Sequence, residues 1–293
     1  MPARVCRSEC RNRSWRRLAG RWLTLTSALS SFALLSLCAP SRAHARDPSE
    51  SVLRVCADPN SLPYSNRSEK GFENQIAALL ARTLGRRLDY FWWAQRRGFL
   101  RNTLSAGRCD LVMSVPAGAE RVLTTRPYYR SSYVFVQRPG TAALRSLDDP
   151  ALRSLKLGVQ LIGDDFANTP PAHSLGRRGI VDNVVGFMVY GDYASSDPER
   201  PIIDAVAEGR IDVAIVWGPL GGYYAQKAQP VLVVRPVAPS TDGDLQLSFA
   251  MSLAVRKKDA ALRDLLDRAL AEKRSDIQAI LDRYGVPRVP EVP

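Results

Sequence analysis

Short β-rich runs alternate with helical ones from residue 53 onward, and this alternation limits the fold more than any other feature of the chain. Residues 53–57 form a strand-length run. Residues 72–84 then place Phe72, Ile76, Leu79, Leu80 and Leu84 mostly on one helical face, and Gly85 follows as a stop signal. Residues 88–92 read as a second strand, 98–105 as a second helix and 111–115 as a third strand. Strands separated by helices pair in parallel, because the chain must cross over before it re-enters the sheet, and the helices cover the sheet faces. Across this unit runs an aromatic and basic cluster: Trp92, Trp93, Gln95, Arg96, Arg97 and Phe99.

A second set of elements follows a break at Arg138-Pro139-Gly140. Strands are predicted over 133–137, 156–160, 181–189, 212–217 and 247–255. Helices are predicted over 201–208, from 223 to 227, and over 260–272 and 276–284. The proline-rich residues 230–239 read as a return path between elements.

Residues 1–45 stand apart from this pattern. Seven arginines between Arg4 and Arg21 precede an apolar run over 23–37, and Ala43-His44-Ala45 offers small residues around a cut, so a cleaved signal peptide is predicted. The apolar run falls short of the ~20 residues that span a bilayer, and no stable membrane insertion is expected. Eight of the 41 basic and one of the 29 acidic residues lie in this segment, so the net charge of +12 falls to about +5 without it. A mildly basic protein with no compact basic patch beside aromatics except around Arg96 and Arg97 carries no argument for nucleic acid.

The same division simplifies the reactive residues. Cys6, Cys10 and Cys38 leave with the leader, and Cys56 and Cys109 remain, each beside a predicted strand. In an exporting compartment a Cys56–Cys109 bridge is the expectation wherever the two Cα atoms come within about 7 Å, with two separately buried thiols as the alternative. His173 is the one histidine beyond residue 45, and there is no close cysteine pair and no glycine-rich phosphate loop. Metal, thiol and nucleotide chemistries therefore lack their usual groups, and neither a cofactor, a metal nor an enzymatic activity is expected.

In open parallel sheets ligands bind beyond the carboxyl ends of the strands. That rule nominates Asp58, Pro59 and Asn60, then 114–121, then 160–165, then Trp217, Gly218 and Pro219. The order of elements resembles the type II periplasmic solute-binding proteins. Ala119-Glu120-Arg121 with Arg126-Pro127-Tyr128-Tyr129 looks like their segment before the first crossover, and Leu281-Asp282-Arg283-Tyr284-Gly285 like their last helix. The resemblance implies an α/β fold of two lobes, each a mostly parallel sheet flanked by helices, joined by two crossover strands. Lobe one is expected over 51–137 and 247–293, and lobe two over 138–246.

A narrower resemblance rests on Arg54-Val55-Cys56-Ala57-Asp58-Pro59-Asn60, Leu62-Pro63-Tyr64-Ser65-Asn66, Gly71-Phe72-Glu73-Asn74 and Asp212-Val213-Ala214-Ile215-Val216-Trp217-Gly218-Pro219. These resemble the quinoprotein dehydrogenase-associated solute-binding-like proteins, the MxaJ and XoxJ group. That likeness implies a non-enzymatic periplasmic partner of a methanol dehydrogenase dependent on pyrroloquinoline quinone (PQQ), assisting its maturation or activation. The alternative is the receptor of an ABC importer for a small organic or amino-acid-like ligand. Arg121 matches the carboxylate-binding arginine of amino-acid receptors, but Pro116, Ala117 and Gly118 stand where a hydroxyl residue usually precedes it. Trp217-Gly218-Pro219 replaces the usual acidic residue of lobe two, and a tryptophan cannot neutralise an ammonium. The expected cleft or partner residues are Asp58, Asn60, Tyr64, Trp93, Arg96, Arg97, Arg121, Tyr128, Asp164, Asp165, Trp217 and Pro219. Some dehydratases of aromatic amino-acid biosynthesis share the two-lobed fold, and Asp58 with Arg121 is the nearest pair such chemistry would use.

Overall fold

A computed structural model describes residues 51–163, 168–190 and 192–290. The predicted leader, with Cys6, Cys10 and Cys38, lies outside the described residues, as do Asp164 and Asp165. In chain order the main strands are β1 (Val52–Ala57), β2 (Arg87–Trp92), β3 (Leu111–Pro116), β4 (Tyr129–Gln137), β5 (Leu157–Leu161), β6 (Val184–Met188), β7 (Val213–Trp217), β8 (Val233–Pro236) and β9 (Ser248–Val255). The helices are α1 (Phe72–Thr83), α2 (Phe99–Asn102), α3 (Pro170–Arg177), α4 (Pro201–Ala207), α5 (Gly218–Ala225), α6 (Ala260–Glu272) and α7 (Arg274–Arg283).

The strands lie in the order β2-β1-β3-β9-β4-β7-β5-β6, with β8 also on β4. β1 pairs in parallel with β2 and β3, and β5 in parallel with β7 and β6, as the helical crossovers require. Between these two parallel groups run the antiparallel strands β9 and β4. The first half of β4 pairs with β9 through Tyr129↔Met251 to Ser132↔Ser248, and its second half with β7 and β8 from Tyr133 or Val134 to Gln137. One continuous strand thus crosses from one group to the other.

Alternation along the strands sorts the side chains onto two faces. Leu53, Val55, Leu111 and Met113 face the layer of α1, α6 and α7, together with Phe72, Ile76, Leu80, Leu266 and Leu281. Cys56, Val112 and Val115 face Phe99, Leu104, Cys109 and Val122 on the other side. In the second group Val134, Val136, Ala214 and Val216 face α4 and α5, whereas Phe135, Val213 and Ile215 face Leu152 and Leu175. Cys56 and Cys109 are joined in a disulfide, their Cα atoms 5.5 Å apart.

The structure corrects several predicted elements. The helix read over 98–105 is a single turn, Phe99–Asn102, entered through Gly98 at φ 85° and closed as the Thr103 hydroxyl bonds back to the Phe99 carbonyl at 2.7 Å. The helix expected from 223 begins at Gly218. α3 was not foreseen, although Thr169-Pro170-Pro171 is a usual helix opening.

Candidate functional site

A cavity of about 340 Å³ lies beyond the carboxyl ends of β1, β5 and β7. Residues after β1 bring Asp58, Ser61 and Tyr64 to it, the first turn of α1 brings Glu73, β3 brings Ser114 and β4 brings Tyr129 and Tyr133. The second group of strands contributes Gln160 from β5, Trp217 from the end of β7, and Tyr190, Tyr193 and Glu199 from the segment between β6 and α4.

Asp58 is 2% exposed and held by neutral donors. Its Oδ1 accepts from the Asn60 N–H at 2.8 Å and its Oδ2 from the Gln95 N–H at 2.6 Å, with the Tyr193 hydroxyl also donating to Oδ2. The Tyr193 segment is fastened by further bonds. The Asn60 amide donates to the Ser195 carbonyl at 2.8 Å and the Ser61 hydroxyl to Glu199 Oε1 at 2.6 Å, while the Arg96 guanidinium lies 4.9 Å above the Tyr193 ring and 5.6 Å above that of Tyr190. Tyr190, Tyr193 and Glu199 therefore line one side of the cavity and are tied to residues of the opposite one.

Two further carboxyl groups face this space. Burial pushes Glu73 up to about 7; the neighbouring Ser114 hydroxyl opposes that shift and the charge of Asp58 adds to it. Burial pushes Glu199 up to about 8, against the hydrogen bond from Ser61 and with the charges of Asp58 and Glu73. Ser114 itself adopts φ 45°, unusual for a residue with a side chain, where the register of β9 against β3 shifts between Ser252 and Ala254. Its hydroxyl lies 2.7 Å from that of Tyr128 and accepts from that of Tyr129 at 3.3 Å. Backbone strain of this kind, worth about 1–3 kcal/mol, is retained where it aims a group.

The sequence-predicted residues divide into three sets. Asp58, Tyr64 and Trp217 line the cavity, and Asn60 and Arg96 fasten the segment that walls it. Tyr128 is buried and reaches this region through Ser114, and it also borders a separate groove with Arg126, Arg274 and Arg288. Trp93, Arg97, Arg121 and Pro219 do not line the cavity. Arg121 borders instead an outer depression with Leu104, Lys257 and Lys258, because the turn after β3 anchors Val122 in the Cys109 face and leaves Arg121 exposed. The Asp58 and Arg121 pair proposed for dehydratase chemistry is thus not assembled in the cavity. Pro219 is buried at the first turn of α5.

Glu73 and Glu199 were absent from the predicted set. Glu73 had a signal: it stands four residues before Ala77 and seven before Leu80 on the buried stripe of α1, where a carboxylate is out of place. Glu199, in Pro198-Glu199-Arg200-Pro201, lies in irregular chain with no periodicity to mark its inward direction.

The comparisons with known proteins agree with this architecture. Residues 53–287 match the family of bacterial extracellular solute-binding proteins, family 3. Protein MoxJ of Methylorubrum extorquens is 32% identical over 94% of this chain and 97% of its own length. The periplasmic binding protein XoxJ of Methylobacterium extorquens superposes with a TM-score of 0.68 at 34% identity, over 82% of this chain and all of that one. MxaJ of Methlophaga aminisulfidivorans gives 0.70 at 28% identity, over 81% of this chain and all of that one. The chain belongs to the family 3 bacterial extracellular solute-binding proteins, has their two-lobed type II periplasmic binding protein fold, and is of the MoxJ and XoxJ type.

Proposed function

We propose that this protein is a non-catalytic periplasmic accessory of a PQQ-dependent methanol dehydrogenase system, binding the dehydrogenase and assisting its maturation or activation. The likeness to the MoxJ and XoxJ type supports the association. The observation that carries the contact role is Trp93. At 44% exposure it is the one aromatic among the large exposed apolar side chains of the described residues, and it stacks on Phe91 with centroids 6.1 Å apart. The Arg108 guanidinium lies over the other ring of this pair, Phe91, at 5.9 Å, and Arg96 and Arg97 follow in the chain. A rigid tryptophan beside guanidinium groups is the composition that carries energy at protein interfaces.

The cavity argues against amino-acid reception. An α-amino acid needs a cation for its carboxylate, and among the described residues no arginine, lysine or histidine lines the cavity. We take lobe one as 51–137 with 247–293 and lobe two as 138–246, a division supported by the change of partners along β4. Export by a cleaved leader over residues 1–45 is part of the same reading.

Co-purification of the protein with the apo and PQQ-loaded forms of methanol dehydrogenase tests this function. Retention of either form is the expected result. Retention of neither, together with tight binding of an amino acid, would assign the protein to import instead.

A further inference from the structure

The cavity has a composition that selects the charge of what enters it. Asp58, Glu73 and Glu199 supply three carboxyl groups; among the described residues no basic side chain lines the space itself, and Arg96 stands behind the Tyr193 ring in its wall. Aromatic residues, among them Tyr64, Tyr133 and Trp217, share the remaining lining with aliphatic and neutral polar ones. Tyr133 and Trp217 contact each other edge-on at 5.4 Å, and Trp217 meets Phe249 at 5.7 Å, so the wall they form is fixed. A second observation points to a ligand independently of the acids. Gln160 lines the cavity at 6% exposure, and its side-chain amide makes no hydrogen bond to any described residue. The amide is therefore open to engagement by whatever occupies the cavity.

We propose that the cavity binds a small organic monocation, an ammonium with an apolar body and no carboxylate. Carboxylates and aromatic rings both attract such a cation, and desolvation inside a cleft strengthens the attraction. A zwitterionic amino acid would set its own carboxylate against three others with no cation to hold it. A divalent metal is a poorer fit, because among the described residues no three His, Cys, Asp or Glu groups converge at coordination distance. The volume of about 340 Å³ sits at the small end of the roughly 300–1,000 Å³ of small-molecule sites. This inference does not depend on the dehydrogenase reading: a protein that contacts an enzyme can also carry a ligand.

Protonation gives the proposal a signature. Glu73, pushed up to about 7, faces Asp58 and the phenols of Tyr64, Tyr90, Tyr128 and Tyr129. Glu199, pushed up to about 8, faces Asp58, Glu73 and the phenols of Tyr64, Tyr193 and Tyr224. Arg96 is the nearest cation identified in this wall, stacked on Tyr193. A bound cation favours the ionised carboxylates and expels their protons, so its affinity rises with pH through both values and falls on acidification.

Tetramethylammonium chloride, with tert-butanol as uncharged isostere and potassium chloride as ionic-strength control, is the direct probe. Saturable quenching of tryptophan emission by tetramethylammonium alone is expected, weakening on the order of tenfold between about pH 8.5 and pH 6. Glu199→Gln should weaken it about tenfold or more, and Gln160→Leu, which keeps the carboxylates, should weaken it by less. Absence of saturable binding at about 10 mM and pH 8.5 would overturn the proposal, as would equal affinity for tert-butanol. If Glu199→Gln does not fold, pH-independent binding by the unaltered protein overturns it equally.

Discussion

Replacing Cys56 and Cys109 together by alanine is expected to cost about 4 kcal/mol of folding stability. The bridge spans 53 residues, and closing a loop of that length in the unfolded chain accounts for roughly that figure, near the top of the ~2–5 kcal/mol seen when natural disulfides are removed. The closed loop runs from the end of β1 through α1, β2 and α2, so the constraint covers most of the first strand-helix-strand unit. The junction has other ties. Arg54 pairs with Asp110 at 2.9 Å, Arg256 pairs with Asp110 at 3.2 Å and donates to the Cys109 carbonyl, and the Asp110 N–H donates to the Arg54 carbonyl at 2.8 Å. These ties should keep the pairing of β1 with β3 native in the variant, so the loss should appear as a lower midpoint with unchanged binding. Urea unfolding without reductant measures it, and a lowering of the melting temperature by roughly 10 °C should accompany it. A change below about 1 kcal/mol would show that the bridge adds nothing to the folded chain.

Phe72→Ala is expected to cost about 3–5 kcal/mol, the usual range for emptying a buried phenylalanine site. Phe72 is fully buried, and its ring meets Tyr64 at 5.5 Å, Tyr129 at 6.0 Å and Tyr284 at 6.0 Å. Tyr64 and Tyr129 are also walls of the cavity, and Glu73 is the next residue in α1. The substitution should therefore loosen the site as well as the core, weakening tetramethylammonium in the same variant that loses stability. Phe72→Leu should recover most of both. Denaturant titration of the pair measures the stability difference, and equal stability of Phe72→Ala and the unaltered protein would contradict the packing described.

The fold was legible where local pattern and tertiary role agree. β1, α1, β2 and β3 follow from alternation and a helical stripe, and β4 was under-read by four residues because its first half, Tyr129–Ser132, carries no simple alternation. Where tertiary contact overrides propensity the sequence misleads. α5 begins with Gly218-Pro219-Leu220-Gly221-Gly222, a poor helix by propensity, because closely packed neighbours leave no room for side chains. A Cβ on Gly218 would lie 2.4 Å from the Ser131 hydroxyl, and one on Gly222 only 1.8 Å from the Gly285 carbonyl.

The site was legible by topology and not by chemistry. The rule about strand ends found Asp58, Gln160 and Trp217, because the carboxyl ends of β1, β5 and β7 converge whatever residues they carry. Glu199 and Tyr193 arrive on irregular chain from the second group of strands, and only their bonds to Ser61 and Asp58 show that they belong to the site. Arg121 shows the opposite error. A motif position was matched, but the turn that carries it faces the outer depression beside Lys257 and Lys258.

Contact between this protein and a methanol dehydrogenase through Trp93 is most directly tested by titration calorimetry of the purified dehydrogenase with the unaltered protein and with Trp93→Ala. Trp93 is 44% exposed and, among the described residues, stacks only on the partly buried Phe91, so its loss should leave folding intact and act on the interface. The expected result is a saturable heat with the unaltered protein and a dissociation constant weakened about 30-fold or more by the substitution, as removal of an interface tryptophan worth about 2 kcal/mol requires. No saturable heat with the unaltered protein, or equal affinity in Trp93→Ala, would contradict it.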